Sequence, residues 1–217
     1  MTSSGGFWPG AEPDEEIGDG DTEVVEPYPD SVGWQLPGSE AEAEPARVLA
    51  HRPGEIDVPS GVAVIEGAPF GSGRSVGIVV ARFNSEISNG LLESALEALA
   101  AAGVGQDRVT VMPVPGAFEL PIGAMALAKT RRYSCVIALG CVIRGETAHF
   151  DFVATEAASG IQLAGLETGV PVSFGVLTVD TLEQAQERLG KGGEAARAAL
   201  EMADIFAQVR AQVKAAS

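Results

Sequence analysis

The chain has 217 residues, 46% of them hydrophobic, and a formal net charge of −16. That length suits one domain of ordinary size with an appendage, or two small domains, and the apolar share is enough for a core. Mean hydropathy is +0.16, yet no run reaches the roughly 18 apolar residues of a membrane span, and the acidic balance argues against nucleic acid, whose binding needs clustered cations.

The charge is unevenly spread. Residues 1–60 hold 14 of the 30 acids, with only Arg47 and Arg52 against them, and eight of the 13 prolines. This composition, which includes AEPDEEIGDGDTE and the repetitive SEAEAEPA, buries too little apolar surface to offset the entropy of ordering. Residues 1–60 are therefore read as an acidic, proline-rich, disordered extension in which Trp8, Tyr28 and Trp34 are scattered and solvated. Residues 61–217 are read as the folded domain. The opening MTSSGGFWPGAEPDEE lacks the basic and apolar regions of a secretory signal, which gives a cytoplasmic expectation. Cys135 and Cys141 share one strand-like run, a spacing that fits neither a disulfide framework nor a metal site. Both are expected to act as small buried hydrophobes.

From Gly61 the pattern becomes regular. VAVIEG (62–67) predicts a short edge strand, and VGIVVARF (76–83) a strand covered on both faces, because it is apolar throughout. SEISNGLLESALEALAAAG (85–103) repeats Leu and Ala at helical spacing and stops at Gly103. VTVMPVP (109–115) is strand-like, and FELPIGAMALAKT (118–130) reads as a helix with proline in its first turn. CVIALGCVI (135–143) is a second fully apolar strand, followed by a helix over 150–169 that Gly169 closes. PVSFGVLTVD (171–180) is a strand, and TLEQAQERLG (181–190) a helix capped by Asp180 or Thr181. Residues 192–215 form a last, long amphipathic helix. Alternating strands and helices around apolar strands predict a three-layer α/β/α sandwich with a central, mainly parallel four-stranded sheet.

Ligands of such sheets sit beyond the carboxyl ends of the strands. Here those ends are ARFN, PGAFE, RGETAH and the segment after Thr178. No GxGxxG opens a helix after the first strand, no GxxxxGK[ST] loop occurs, and no GxSxG elbow is present. Dinucleotide binding, P-loop NTP hydrolysis and serine hydrolysis are thereby unsupported, and clustered metal ligands are lacking. What remains is a set of single polar groups. His149 is either structural or a proton carrier, since imidazole exchanges protons near neutral pH. The backbone of Gly145-Glu146-Thr147, just ahead of a helix, favours an anion. Phe83 either stacks on a flat ring or packs in the core. Glu119 either binds or merely complements a helix dipole. Arg188 and Lys191 either act at a site or are solvated.

Taken in order, ARFN, VPGAFELP, GCVIRGETAHFDF, SFGVLTVDTLEQAQER and KGGEAARAALEMA resemble the lumazine synthase family, from about Ile65 to about residue 210. The resemblance implies condensation of 5-amino-6-(D-ribitylamino)uracil with 3,4-dihydroxy-2-butanone 4-phosphate. The products are 6,7-dimethyl-8-ribityllumazine, phosphate and water, in the penultimate step of riboflavin biosynthesis. It implies no metal or organic cofactor. By match to the motifs, Phe83 stacks on the pyrimidine, and Ala117, Phe118 and Glu119 line the ribityl site. Cys141, Val142 and Ile143 meet the pyrimidine edge through their backbone. Glu146 and Thr147 cradle the phosphate, which Arg188 pairs with from an adjoining subunit or segment. Phe174 is lent by a neighbouring subunit, and His149 transfers protons. The implied assembly is a pentamer or a multiple of pentamers, up to an icosahedral capsid. Two departures stand out, namely a shortened loop at Gly190–Gly193, with Lys191 in place of a family lysine, and the acidic extension. A non-catalytic shell or scaffold protein that binds a lumazine or flavin is the alternative from another class.

Overall fold

The computed structural model describes residues 56–215. The disordered-extension reading of residues 1–60 lies almost wholly outside the described residues; residues 56–60 are exposed and belong to no helix or strand. Asp57–Ser217 forms one compact unit. In chain order its elements are β1 (Val76–Ala81), α1 (Ser85–Ala101), β2 (Val109–Val114), α2 (Leu120–Lys129) and β3 (Cys135–Ile143). There follow α3 (His149–Thr168), β4 (Val172–Val179), α4 (Leu182–Gln186) and α5 (Lys191–Ala215). The four strands form one sheet in the order β2-β1-β3-β4, and every pairing is parallel.

The apolar runs of β1 and β3 serve two layers at once. Successive side chains of a strand point to opposite faces. Val76, Ile78 and Val80 of β1, with Cys135, Ile137 and Leu139 of β3, pack towards Ala95 and Leu99 of α1 and Ala199 and Leu200 of α5. The intervening Val79, Ala81, Val136 and Ala138 pack towards Leu120 and Ala124 of α2 and Ile161 and Ala164 of α3. A third cluster of Ile87, Leu91, Cys141, Leu177, Val179 and Ala185 lies among the carboxyl ends of β3 and β4. The molecule is thus the expected three-layer sandwich. No helix among the described residues is long and apolar enough to cross a membrane.

Three local expectations are corrected. VAVIEG (62–67) is not a strand: Val62 lies in a bend, residues 62–66 are exposed, and the segment pairs with no strand of the sheet. Its short run of apolar, β-branched residues fits a strand, but a strand needs a partner edge. Here the chain is tied instead to α5, where Gln208 Nε2 donates to the Glu66 carbonyl at 2.6 Å and the Ala68 N–H to Asp204 Oδ2 at 3.3 Å. The same Asp204 holds Arg74, just ahead of β1, at 2.7 Å. TLEQAQERLG is helical only to Gln186, and Thr181 rather than Asp180 caps it, its Oγ1 accepting from the Gln184 N–H at 3.3 Å. Finally, the last helix starts one residue earlier than the expected 192, so of the loop named at Gly190–Gly193 only Gly190 precedes it. α5 begins at Lys191, so Gly192 and Gly193 are in its first turn and are buried against α1. A Cβ on Gly192 would collide with the Leu91 carbonyl, and the Gly193 N–H donates to Ser94 Oγ at 3.1 Å.

Candidate functional site

The strand order places the site. From β1 the chain steps outward to β2, then crosses back to β3 on the other side of β1. The strand order reverses there, and crevices in parallel sheets open at such switch points. A cavity of about 660 Å³ lies there, lined from the connections after β1, β2 and β3.

Each wall has a local cause. After β1, the Phe83 N–H donates to the Pro115 carbonyl at 3.1 Å, which joins the β1 and β2 exits. Asn84 then takes a left-handed conformation (φ 55°, ψ 50°), which asparagine tolerates better than most residues. Its Nδ2 donates to the Cys141 carbonyl at 3.0 Å and so ties the β1 exit to β3. Phe83 is 70% exposed and faces the cavity, so the core-packing reading of it is overturned.

The β2 exit, Gly116-Ala117-Phe118-Glu119, supplies a second wall. Glu119 does more than face a helix dipole. Its Oε2 accepts from the Gly116 N–H at 2.9 Å and closes the turn before α2, which fixes the carboxylate at the cavity.

β3 supplies the third wall. β1 pairs with it only as far as Leu139, whereas β4 follows it to Ile143. Cys141, Val142 and Ile143 therefore overhang β1, with one side laddered to β4; on the other side Asn84 takes the Cys141 carbonyl, and the three residues line the cavity. The alternation of strand backbone turns the N–H and C=O of Ile143 to the same side as those of Cys141. Such an edge suits a flat heterocycle with donors and acceptors on its rim. The Cys141 thiol itself is buried, which pushes it up to about 11, while burial raises Cys135 to about 12 against a smaller opposing pull from Arg74. Both cysteines are free and buried, as expected. A thiol-reactive chromogenic disulfide at pH 7 should leave both untouched in the native protein and count both after denaturation. Fast labelling of native Cys141 would contradict this account.

The turn from β3 to α3 completes the cavity with Gly145, Thr147, His149, Phe150, Phe152 and Val153. His149 is the first residue of α3, and its N–H donates to Thr147 Oγ1 at 3.4 Å. The free N–H groups of a helix start favour negative charge there. Of the residues singled out from sequence, Phe83, Ala117, Phe118, Glu119, Cys141, Val142, Ile143, Thr147 and His149 thus meet in one cavity.

Glu146, Phe174 and Arg188 are not among its lining residues. Glu146 is exposed in the adjoining turn. Phe174 pairs with Ala138 near the start of the edge strand β4, five positions before its end and so about 16 Å along the strand. Arg188 follows α4, where its Nη1 donates to the Gln184 carbonyl at 2.7 Å and approaches Glu187 at 3.5 Å. Lys191 pairs with Glu194 at 2.6 Å. The lining therefore contains no Lys or Arg, and its walls are mostly aromatic and aliphatic.

Sequence reasoning missed Asn84, Phe150 and Phe152. Asn84 had a signal, an asparagine directly after a strand end. The two phenylalanines had none apart from their nearness to His149. Among the described residues no three His, Cys, Asp or Glu side chains gather as a metal site.

The sequence matches the family model of 6,7-dimethyl-8-ribityllumazine synthase over residues 73–207. The chain belongs to that family. The match runs from just before β1 into α5, so all four strands and every wall of the cavity fall inside it. Membership places the chain in riboflavin biosynthesis and among transferases that act on small molecules.

Proposed function

We propose that the chain is an active lumazine synthase that condenses 5-amino-6-(D-ribitylamino)uracil with 3,4-dihydroxy-2-butanone 4-phosphate. On this reading residues 61–217 are the synthase domain, residues 1–60 are an appended extension, and the enzyme works in the cytoplasm without a metal or organic cofactor. The observation that carries the reading is the convergence of Phe83, Glu119, the overhanging edge of β3 and His149 on one cavity.

In the proposed complex Phe83 stacks on the pyrimidine, whose rim bonds to the backbone of Cys141–Ile143. Ala117 and Phe118 shape the ribityl channel, and the Glu119 carboxylate accepts a ribityl hydroxyl. The start of α3, with Glu146 and Thr147, holds the phosphate. The pyrimidine amine attacks the ketone and one water leaves as the Schiff base forms; phosphate is then eliminated, and the ribityl-bearing nitrogen adds to the remaining carbonyl, a second water leaving as the ring closes. Each step moves a proton, and His149 is placed to carry it. Holding two reactants together supplies much of the acceleration, because effective molarities in well-oriented pairs are large.

Phe174 and Arg188 lie off the cavity, which supports a site completed by a neighbouring copy in a pentamer or a multiple of pentamers. The direct test follows product formation from the two substrates by lumazine fluorescence. The parent chain should turn over. His149→Ala should retain activity but lose about 100-fold in kcat/KM, the lower end of what a general acid–base group contributes. An unchanged rate in His149→Ala would remove the proton-transfer role. A parent chain that binds a ribitylated pyrimidine without turnover would favour the non-catalytic lumazine- or flavin-binding reading.

A further inference from the structure

We propose that Arg144 is a positioning residue that sets His149 against the phosphate side of the site; the inference rests on the synthase reading above. Arg144 follows β3 directly, and its N–H donates to the Val179 carbonyl at the end of β4 at 2.9 Å. Its guanidinium then reaches two other pieces of the fold. Nε donates to Asp180 Oδ1 at 3.0 Å, and Nη1 lies 3.1 Å from Asp151 Oδ1 and 3.3 Å from Oδ2. Its Cζ sits 4.0 Å from the centroid of the Phe150 ring.

Asp151 is in the first turn of α3, which His149 begins, and Phe150 lines the cavity between them. Asp180 opens the connection to α4 and Arg188. The Asp180 carboxylate is not spent on capping α4, because Thr181 does that. One planar fork therefore ties the start of α3, which carries His149 and follows the proposed phosphate turn, to the end of β4 in the same copy. A lysine could not bond both carboxylates and stack on a ring in this way. Facing two carboxylates, Arg144 is also compensated, so its task is geometry rather than binding an anion.

The test uses the full chain and the variants Arg144→Ala, Arg144→Lys and Asp180→Asn. These ion pairs are exposed, with side-chain exposures of 44% to 67%. Such pairs contribute little to stability, so each variant should fold, with Tm shifted by no more than about 4 °C. Misplacement of the reacting groups should lower kcat about 10- to 100-fold in all three. KM for the pyrimidine should hold, because its wall is untouched.

Affinity for inorganic phosphate, measured by calorimetry, separates this idea from the reaction assignment. Arg144→Ala and Asp180→Asn change the local charge in opposite senses. A purely electrostatic role would move phosphate affinity in opposite directions, whereas positioning weakens both. A parent chain without turnover would sink the reaction assignment and leave the clamp to be judged on phosphate affinity alone. Full activity in Arg144→Lys, or phosphate affinity unchanged in Arg144→Ala or raised in Asp180→Asn, would overturn the clamp.

Discussion

Arg188→Ala is expected to lower kcat/KM about 100-fold, with the loss concentrated in KM for the butanone phosphate. The proposed site asks its phosphate to settle at the start of α3, where backbone N–H groups and the helix dipole supply only partial positive charge. None of the lining residues is Lys or Arg. The nearest candidate in sequence, Arg144, is held between Asp151 and Asp180. A full positive charge must therefore come from outside this set, and the resemblance points to Arg188. A hydrogen bond to a charged group contributes about 1.5–3 kcal/mol, which corresponds to about 10- to 150-fold in binding. KM for the ribitylaminouracil should change little, because the proposed complex sets that substrate against Phe83, Glu119 and β3 instead. Steady-state kinetics with each substrate varied in turn decides the matter. A loss confined to the pyrimidine, or no loss, would refute the phosphate role.

Gly192→Ala should destabilise the protein by about 3 kcal/mol, the upper range of forced overpacking, and lower the thermal midpoint by about 10 °C. In an exposed helix interior this change usually stabilises, because alanine loses less entropy than glycine. Here the sign reverses. The missing side chain lets α5 start directly against α1, and a methyl group would strike the Leu91 carbonyl, which is backbone and so has little room to yield. Next to it, the Gly193 N–H reaches Ser94 Oγ, and Ala195, Ala196 and Ala199 continue the close approach. Gly190→Ala is the control. A Cβ there meets nothing within 4 Å, so its thermal midpoint should stay near that of the parent. Equal effects at both positions would remove the packing explanation.

Much of the fold was legible because burial leaves a periodic trace. CVIALGCVI could be read as β3 to the residue, since a strand packed on both faces has no polar position to blur its ends. The helix that Gly169 ends was legible for a different reason: the residue adopts φ 63°, which side chains resist. VAVIEG misled because a short apolar, β-branched run records strand preference and carries no information about an available edge. The GKGG stretch reads both as a shortened loop and, from residue 192, as helix; the helix reading holds for Gly192 and Gly193, and only the packing against α1 shows why they are glycine.

The candidate site divides along the same line. Residues within one connection, such as Gly116 to Glu119 or Thr147 to His149, were found by reading strand ends, because a parallel sheet gathers those ends at one edge. Asn84 with Cys141 and Arg144 with Asp180 were not, since the partners are 57 and 36 residues apart. By itself the sequence determined the layers, the parallel sheet and the edge where chemistry belongs, for these follow from hydrophobic period and strand-helix alternation. Only the tertiary structure decided that Phe83 faces a cavity, that Gly192 is a contact and that Arg144 is a clamp. Each of those depends on what folding places opposite a residue, and a linear pattern does not encode an opposing surface.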